Sequence, residues 1–163
     1  MSTCRAILIA GPTASGKSAL ALTLAQRFPG AWLINADSMQ VYRELRVLTA
    51  RPPVVEEAVV PHRLFGTVSG REPYSAARYG REVIQVLAEA AAAGVMPILV
   101  GGTGLYFSAL LEGLSPIPPV PDDVRAHWRQ MASRIGAGRL HELLRARDPV
   151  MAARLVSTDT QRI

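Results

Sequence analysis

At 163 residues the chain suits a single domain with a sizeable core, and an apolar content of 49% excludes a disordered polymer. No apolar run reaches the length of a membrane span, the start lacks a signal-peptide pattern, and the lone Cys4 excludes an internal disulfide; the expectation is a cytoplasmic protein with no membrane partner. A net charge of +5 admits an anionic ligand such as a nucleotide, a diphosphate or RNA, although an arginine-rich surface can also be merely solvated.

Ala6-Ile7-Leu8-Ile9-Ala10 reads as a short buried strand, and Ser18 to Phe28 places Leu20, Leu24 and Phe28 at helical spacing before Pro29-Gly30. Between them, Gly11-Pro12-Thr13-Ala14-Ser15-Gly16-Lys17-Ser18 fills the pattern G-x-x-x-x-G-K-[ST], the phosphate-binding P-loop. The glycines let the backbone wrap around an anion, and successive N–H groups with the positive end of the following helix face it. Lys17 adds a point charge, and the Ser18 hydroxyl can ligate Mg²⁺ shared with the phosphates. Of 18 basic residues Lys17 is the only lysine, placed where a compact ammonium suits a polyphosphate.

Ala31 to Ala36 reads as a second buried strand with Asp37 at its carboxyl end, where ligands sit in open α/β sheets. Asp37 has three readings: a magnesium-holding acid, a general base, or an N-cap for the turn or short helix Ser38–Arg43. Arg51 to Pro61 reads as a loop, and His62 to Val68 as the place for a short strand, with His62 read as packed or solvated in preference to a ligand contact. Pro73-Tyr74-Ser75 introduces a helix from Ala76 to Ala93, stopped by Gly94. Val95 to Val100 is the third clear strand. It leads into Gly101-Gly102-Thr103-Gly104, either a tight turn for close packing or a second anion-facing turn, and then an apolar helix, Leu105 to Leu114, whose Tyr106 and Phe107 belong to the core.

Ser115-Pro116-Ile117-Pro118-Pro119-Val120-Pro121 is an extended connector, because prolines at this density exclude helix. Beyond it, Asp122-Asp123 cap a helix carrying Arg125, His127, Trp128 and Arg129, with further helical stretches at about 139–147 and 149–155. The expected class is α/β: a P-loop NTPase-like parallel sheet flanked by helices, with a partial helical insertion toward the carboxyl terminus. The bounds are 1–114 for the core, 115–121 for the connector and 122–163 for the insertion. About three strands are fewer than the usual five or six, so an incomplete protein is expected.

Five segments occur in order: the P-loop Gly11–Ser18, Asp37-Ser38-Met39-Gln40-Val41-Tyr42, Pro61-His62-Arg63-Leu64, Gly101-Gly102-Thr103-Gly104-Leu105-Tyr106-Phe107, and Asp159-Thr160-Gln161-Arg162. Together they closely resemble the tRNA dimethylallyltransferases, or isopentenyl-diphosphate:tRNA isopentenyltransferases, over the whole chain. Adenylate isopentenyltransferases resemble the first half, and the Arg-rich helical part favours the tRNA branch. The resemblance implies transfer of a dimethylallyl group from dimethylallyl diphosphate to N6 of the adenine 3′ to the anticodon, with Mg²⁺ as cofactor and the complete protein a monomer. It implies Asp37, Thr103 and Arg125 at the reaction centre and a diphosphate on Gly11, Pro12, Thr13, Ala14, Ser15, Gly16, Lys17 and Ser18. It further implies tRNA contacts by Asp37, Ser38, Met39, Gln40, Gln161 and Arg162. Without the resemblance Arg125 reads as a solvated helix charge, and Ser38 and Gln40 as ordinary loop polarity. The family pattern has lysine where this chain has Arg51, a charge-preserving replacement of open role. The alternatives are a P-loop small-molecule kinase using ATP, an adenylate isopentenyltransferase, or an inactive nucleotide-binding fragment.

Overall fold

The structure is a computed structural model and describes residues 5–114, 120–160 and 162–163. The chain forms two compact units, Met1–Ser115 and Pro116–Ile163. Among the described residues no helix is long and apolar enough to cross a membrane.

Among the described residues the first unit is built on four parallel strands: β1 (Ile7–Ala10), β2 (Trp32–Asn35), β3 (His62–Arg63) and β4 (Pro97–Gly101), in the spatial order β1-β4-β2-β3. Ile7 to Ala10 align with Ile98 to Gly101, and Trp32 to Asn35 align with Pro97 to Val100. The short edge strand β3 pairs through His62 and Arg63 with Leu33 and Ile34 of β2. Side chains alternate across the pleat, so β1, β2 and β4 each feed two cores. Ile34 and Leu99 pack with Tyr79, Val83, Val86, Tyr106 and Phe107 on one face; Leu33, Ile98 and Val100 pack with Ala21, Ala25 and Val60 on the other. Burying one such aliphatic side chain contributes about 1.5–3 kcal/mol.

Helix α1 (Lys17–Ala25) begins one residue before the expected Ser18, because Gly16 adopts φ 82° and turns the chain into the helix. It also ends before Phe28. Arg27 and Phe28 donate to carbonyls three residues back, tightening the end where Pro29 disfavours helical geometry for its predecessor. The segment expected to be loop between Arg51 and Pro61 contains a short helix, α2 (Val54–Glu57), entered from Pro53.

Helix α3 (Ala76–Ala93) matches its expected span because both ends are specified. The Ser75 side chain accepts from the Arg78 N–H, and Gly94 takes φ 66°. Helix α4 (Gly104–Leu111) stops three residues short of Leu114, ahead of Gly113 at φ 79°. Tyr79 of α3 stacks on Tyr106 of α4 with centroids 3.8 Å apart.

Among the described residues the second unit contains the helices α5 (Asp122–Arg147), broken at Gly136 with φ 78°, and α6 (Pro149–Arg154). Pro121 rather than an aspartate is the N-cap of α5; Asp122 and Asp123 lie in the first turn, where carboxylates complement the helix dipole. His141 Nε2 lies 2.9 Å from the Ala152 carbonyl and 3.1 Å from that of Leu155, tying the end of α6 to α5. Residues 115–119 of the expected connector lie outside the described residues.

Candidate phosphate-binding and acceptor site

Because β4 lies between β1 and β2, the turn after β4 runs between the P-loop and Asp37. The Gly11 N–H donates to the Gly101 carbonyl at 3.3 Å, the Ala36 N–H to Val100 at 2.8 Å, and the Thr103 N–H to Ala36 at 3.2 Å. Gly101 is required here, since a Cβ would overlap the Ala36 carbonyl.

The P-loop is stabilised from within. The Pro12 carbonyl accepts from the Ser15 N–H at 3.4 Å and from Lys17 Nζ at 3.0 Å, and Ala14 takes φ 62°. Thr13, Ala14, Ser15, Gly16, Lys17 and Ser18 line a cleft of about 390 Å³ whose other wall is Asp37, Gln40, Thr49 and Ala50. Gly11 and Pro12 serve as framework behind it.

Asp37 is held on both sides. Asn35, fully buried, accepts from the Asp37 N–H at 2.8 Å; its Nδ2 donates to the Asp37 carbonyl at 2.9 Å and to Leu64 at 3.2 Å. The Asp37 Oδ1 accepts from the Met39 N–H at 2.9 Å, a local turn rather than a helix cap, since residues 38–41 form turns. Thr103 is half-buried next to Ser38 and is not among the residues that line the cleft; its hydroxyl accepts from the Ser38 N–H at 2.9 Å, which leaves the hydroxyl hydrogen to donate. Gln40 donates to the Thr49 carbonyl at 2.9 Å and so holds the two parts of that wall together. Near Asp37, the Tyr106 phenol is pushed up to about 12, first by burial and then by Tyr42, Asp37 and Glu82. It is therefore neutral throughout the working pH range. His62 is packed, with Nδ1 2.7 Å from the Val60 carbonyl and its ring edge-on to Phe65.

In the helical unit, Arg125, Arg129, Arg162 and Trp128 line a groove of about 490 Å³, and the Arg147 guanidinium lies 5.4 Å over the Trp128 ring. Arg162 is paired with Asp159. Gln161 lies outside the described residues.

Asn35, Thr49 and Ala50 were not among the residues expected at the site. Asn35 carried a signal, as a polar side chain closing an apolar strand two residues before the acid. Thr49 and Ala50 carried none, because they arrive through a turn in which Ala50 adopts φ 50°.

A parallel sheet carrying a strand–P-loop–helix unit, with an acid just past the end of β2, defines a P-loop NTPase-like α/β protein. A family model described as IPP transferase matches residues 40–163, and one described as Isopentenyl transferase matches residues 4–69; the chain belongs to the IPP transferase family. It is 58% identical over 158 residues to the tRNA dimethylallyltransferase of Methylocella silvestris, covering 97% of this chain and 52% of the relative. With that of Methylobacterium sp. strain 4-46 it shares 60% identity over 159 residues, covering 98% and 52%. Among solved structures, the full-length tRNA isopentenylpyrophosphate transferase of Bacillus halodurans aligns with TM-score 0.67 at 32% identity, over 98% of this chain and 53% of that one. A eukaryotic dimethylallyltransferase acting on tRNA aligns with TM-score 0.79 at 29% identity, over 96% and 39%. The chain spans about half the length of the curated relatives it matches.

Proposed function

We propose that this chain supplies the donor site of a tRNA dimethylallyltransferase, which moves a dimethylallyl group from dimethylallyl diphosphate to N6 of the adenine 3′ to the anticodon. The observation that carries the reading is the single cleft with the P-loop on one wall and Asp37 on the other. In the reaction the N6 lone pair forms a bond to the allylic C1, the C1–O bond breaks, and diphosphate leaves with the electron pair. The N6 proton passes to the Asp37 carboxylate. An exocyclic amine is a poor nucleophile because its lone pair is delocalised, and a positioned base is worth typically about 10²–10⁴-fold. The P-loop N–H groups and Lys17 stabilise the charge that grows on the leaving diphosphate, and the Thr103 hydroxyl hydrogen is a further donor for it.

Ser18 and the diphosphate oxygens suit Mg²⁺, a hard cation that retains water and takes few protein ligands; Ser18 would hold it. Bound there, the ion would add charge neutralisation on the diphosphate. On the acceptor side, Asp37, Ser38, Met39 and Gln40 would border the flipped adenine. The groove of Arg125, Arg129, Arg162 and Trp128 combines guanidinium charge with an aromatic face, the chemistry that grips looped RNA; by the family resemblance Gln161 would also contact the tRNA. The protein would act in the cytoplasm as a monomer.

The test is transfer of labelled dimethylallyl from its diphosphate to an anticodon stem-loop by the full-length protein with Mg²⁺. Label appearing in the RNA, lost when the target adenine is replaced, supports the reading. ATP consumption without RNA labelling indicates a kinase and overturns it.

A further inference from the structure

Behind the cleft wall lies an arginine that the chemistry above does not use. Only 5% of the Arg51 side chain is exposed. Its Nη1 donates to the carbonyls of Tyr42 at 3.2 Å and Arg43 at 3.4 Å, the segment that continues from Gln40. Its backbone N–H donates to Arg46, closing the turn that carries Thr49 and Ala50. The guanidinium rests directly on Gly66, where a Cβ would fall inside it, and the Gly66 N–H donates to the Gln40 carbonyl at 2.9 Å. One carboxylate serves two cations: Glu57 pairs with Arg46 at 2.9 Å and lies 4.0 Å from Arg51 Nε, which has no hydrogen-bond partner.

A buried charge with so little neutralisation is a costly way to fill space, and an apolar side chain of that size would do so without the penalty. What the guanidinium supplies instead is a planar group whose Nη1 is shared between two successive carbonyls while its body rests on Gly66. Its Nη1 bonds go to the 40–43 segment, directly beside Gln40 of the wall opposite the P-loop, and its other partners are Arg46, Glu57 and Gly66, none of them in the P-loop.

We infer that Arg51, seated on Gly66, is the positioning residue for the acceptor wall of the cleft: it holds Gln40, Thr49 and Ala50 in place for the nucleobase while leaving the donor diphosphate site untouched. This inference rests on the transferase reading. The wall is positioned by the carbonyl grip, not by charge alone, so a lysine at 51 substitutes only in part. Gly66 is part of the same device, because any side chain there expels the guanidinium.

The experiment uses the full-length protein with four variants: Arg51→Met, Arg51→Lys, Gly66→Ala and the double variant Arg51→Met/Gly66→Ala. For each, kcat/KM for an anticodon stem-loop is measured alongside the Kd for inorganic pyrophosphate with Mg²⁺. Arg51→Met is expected to lose about 10²-fold in kcat/KM for RNA, the scale of a misplacement near 1 Å, with pyrophosphate affinity held within about threefold. Arg51→Lys recovers part of the loss. Gly66→Ala reproduces it with Arg51 still present, and the double variant is no worse than Arg51→Met in the RNA readout, as coupled positions require. The inference is overturned if Arg51→Met transfers to RNA at the wild-type rate, or if pyrophosphate affinity falls in proportion to transfer. Should Arg51→Met not fold, the same two readouts on Gly66→Ala decide. A wild-type protein that labels no RNA defeats the transferase reading and this inference with it, a result distinct from an active wild type with an equally active Arg51→Met.

Discussion

The Thr103 hydroxyl accepts a hydrogen bond from the Ser38 N–H at 2.9 Å, joining the turn after β4 to the segment after β2. Sixty-five residues separate the two in the chain, and the parallel pairing of β2 with β4 makes them neighbours. Thr103→Val keeps the shape but removes the acceptor, leaving a part-buried N–H unpaired. A stability loss of about 1–3 kcal/mol in urea unfolding is expected, against little loss for Thr103→Ser. Equal stability of the two variants would show the bond to be incidental.

Asn35 uses its whole amide on backbone groups that set the place of Asp37. In Asn35→Asp the acceptor to the Asp37 N–H survives, but a carboxylate oxygen replaces Nδ2 against the carbonyls of Asp37 and Leu64. Two carbonyls facing a buried anion cost about 3 kcal/mol or more at neutral pH. The new carboxyl is better tolerated protonated, when it can donate one of the two bonds. Its folded-state affinity for a proton therefore exceeds that of the unfolded chain, and the deficit shrinks as pH falls. Unfolding titrations of variant and wild type at pH 7 and pH 5 measure this; a deficit that widens at the lower pH refutes it.

The P-loop, Asp37 and the Gly101 turn were legible in the sequence because each is a contiguous pattern at a strand end. Helix α3 was legible to the residue because Ser75 and Gly94 mark it locally. The strand order β1-β4-β2-β3 was not legible, nor were the contacts that depend on it. Asn35 meets Leu64 across 29 residues, and Arg51 meets Gly66 only because the chain turns back after β3. The shortness of β3 follows from Leu64, whose φ of 63° ends the strand, a conformation its side chain does not advertise.

Three glycines at the junction of β4 with α4 give a graded test of close approach. A Cβ at Gly101 overlaps the Ala36 backbone, one at Gly102 lies 3.2 Å from the Gly11 carbonyl, and one at Gly104 meets open space. Gly101→Ala is expected to cost several kcal/mol, because two adjacent backbones must part; overpacking of side chains alone costs about 1–3 kcal/mol. Gly104→Ala, at the start of α4, is neutral or stabilising by up to about 1 kcal/mol. Thermal unfolding that ranks Gly101→Ala above Gly104→Ala would mean the β2–β4 approach is looser than described.

Lys17 and Asp37 occupy opposite walls of the cleft and are expected to fail differently. Lys17 Nζ rests on the Pro12 carbonyl at 3.0 Å, so binding a diphosphate exchanges one hydrogen bond for a charge-assisted one. Lys17→Ala should weaken pyrophosphate binding and transfer together, by about tenfold or more, since hydrogen bonds to charged groups are worth about 1.5–3 kcal/mol. Unchanged affinity in a titration would remove the P-loop from the donor site.

Asp37 has two jobs that one substitution separates. Its Oδ1 accepts from the Met39 N–H and fixes the turn, and its carboxylate is the proposed base. Asp37→Asn retains an oxygen for the turn but has no basicity. Full-length Asp37→Asn is therefore expected to bind pyrophosphate with wild-type affinity, to keep wild-type stability, and to lose about 10²–10⁴-fold in kcat for transfer to the stem-loop. Asp37→Ala should show the same loss of rate together with a lower unfolding midpoint, because the Met39 N–H loses its partner. If Asp37→Asn transfers at a near-normal rate while Asp37→Ala does not, the carboxylate is a turn-former, and the proton leaves N6 by another route.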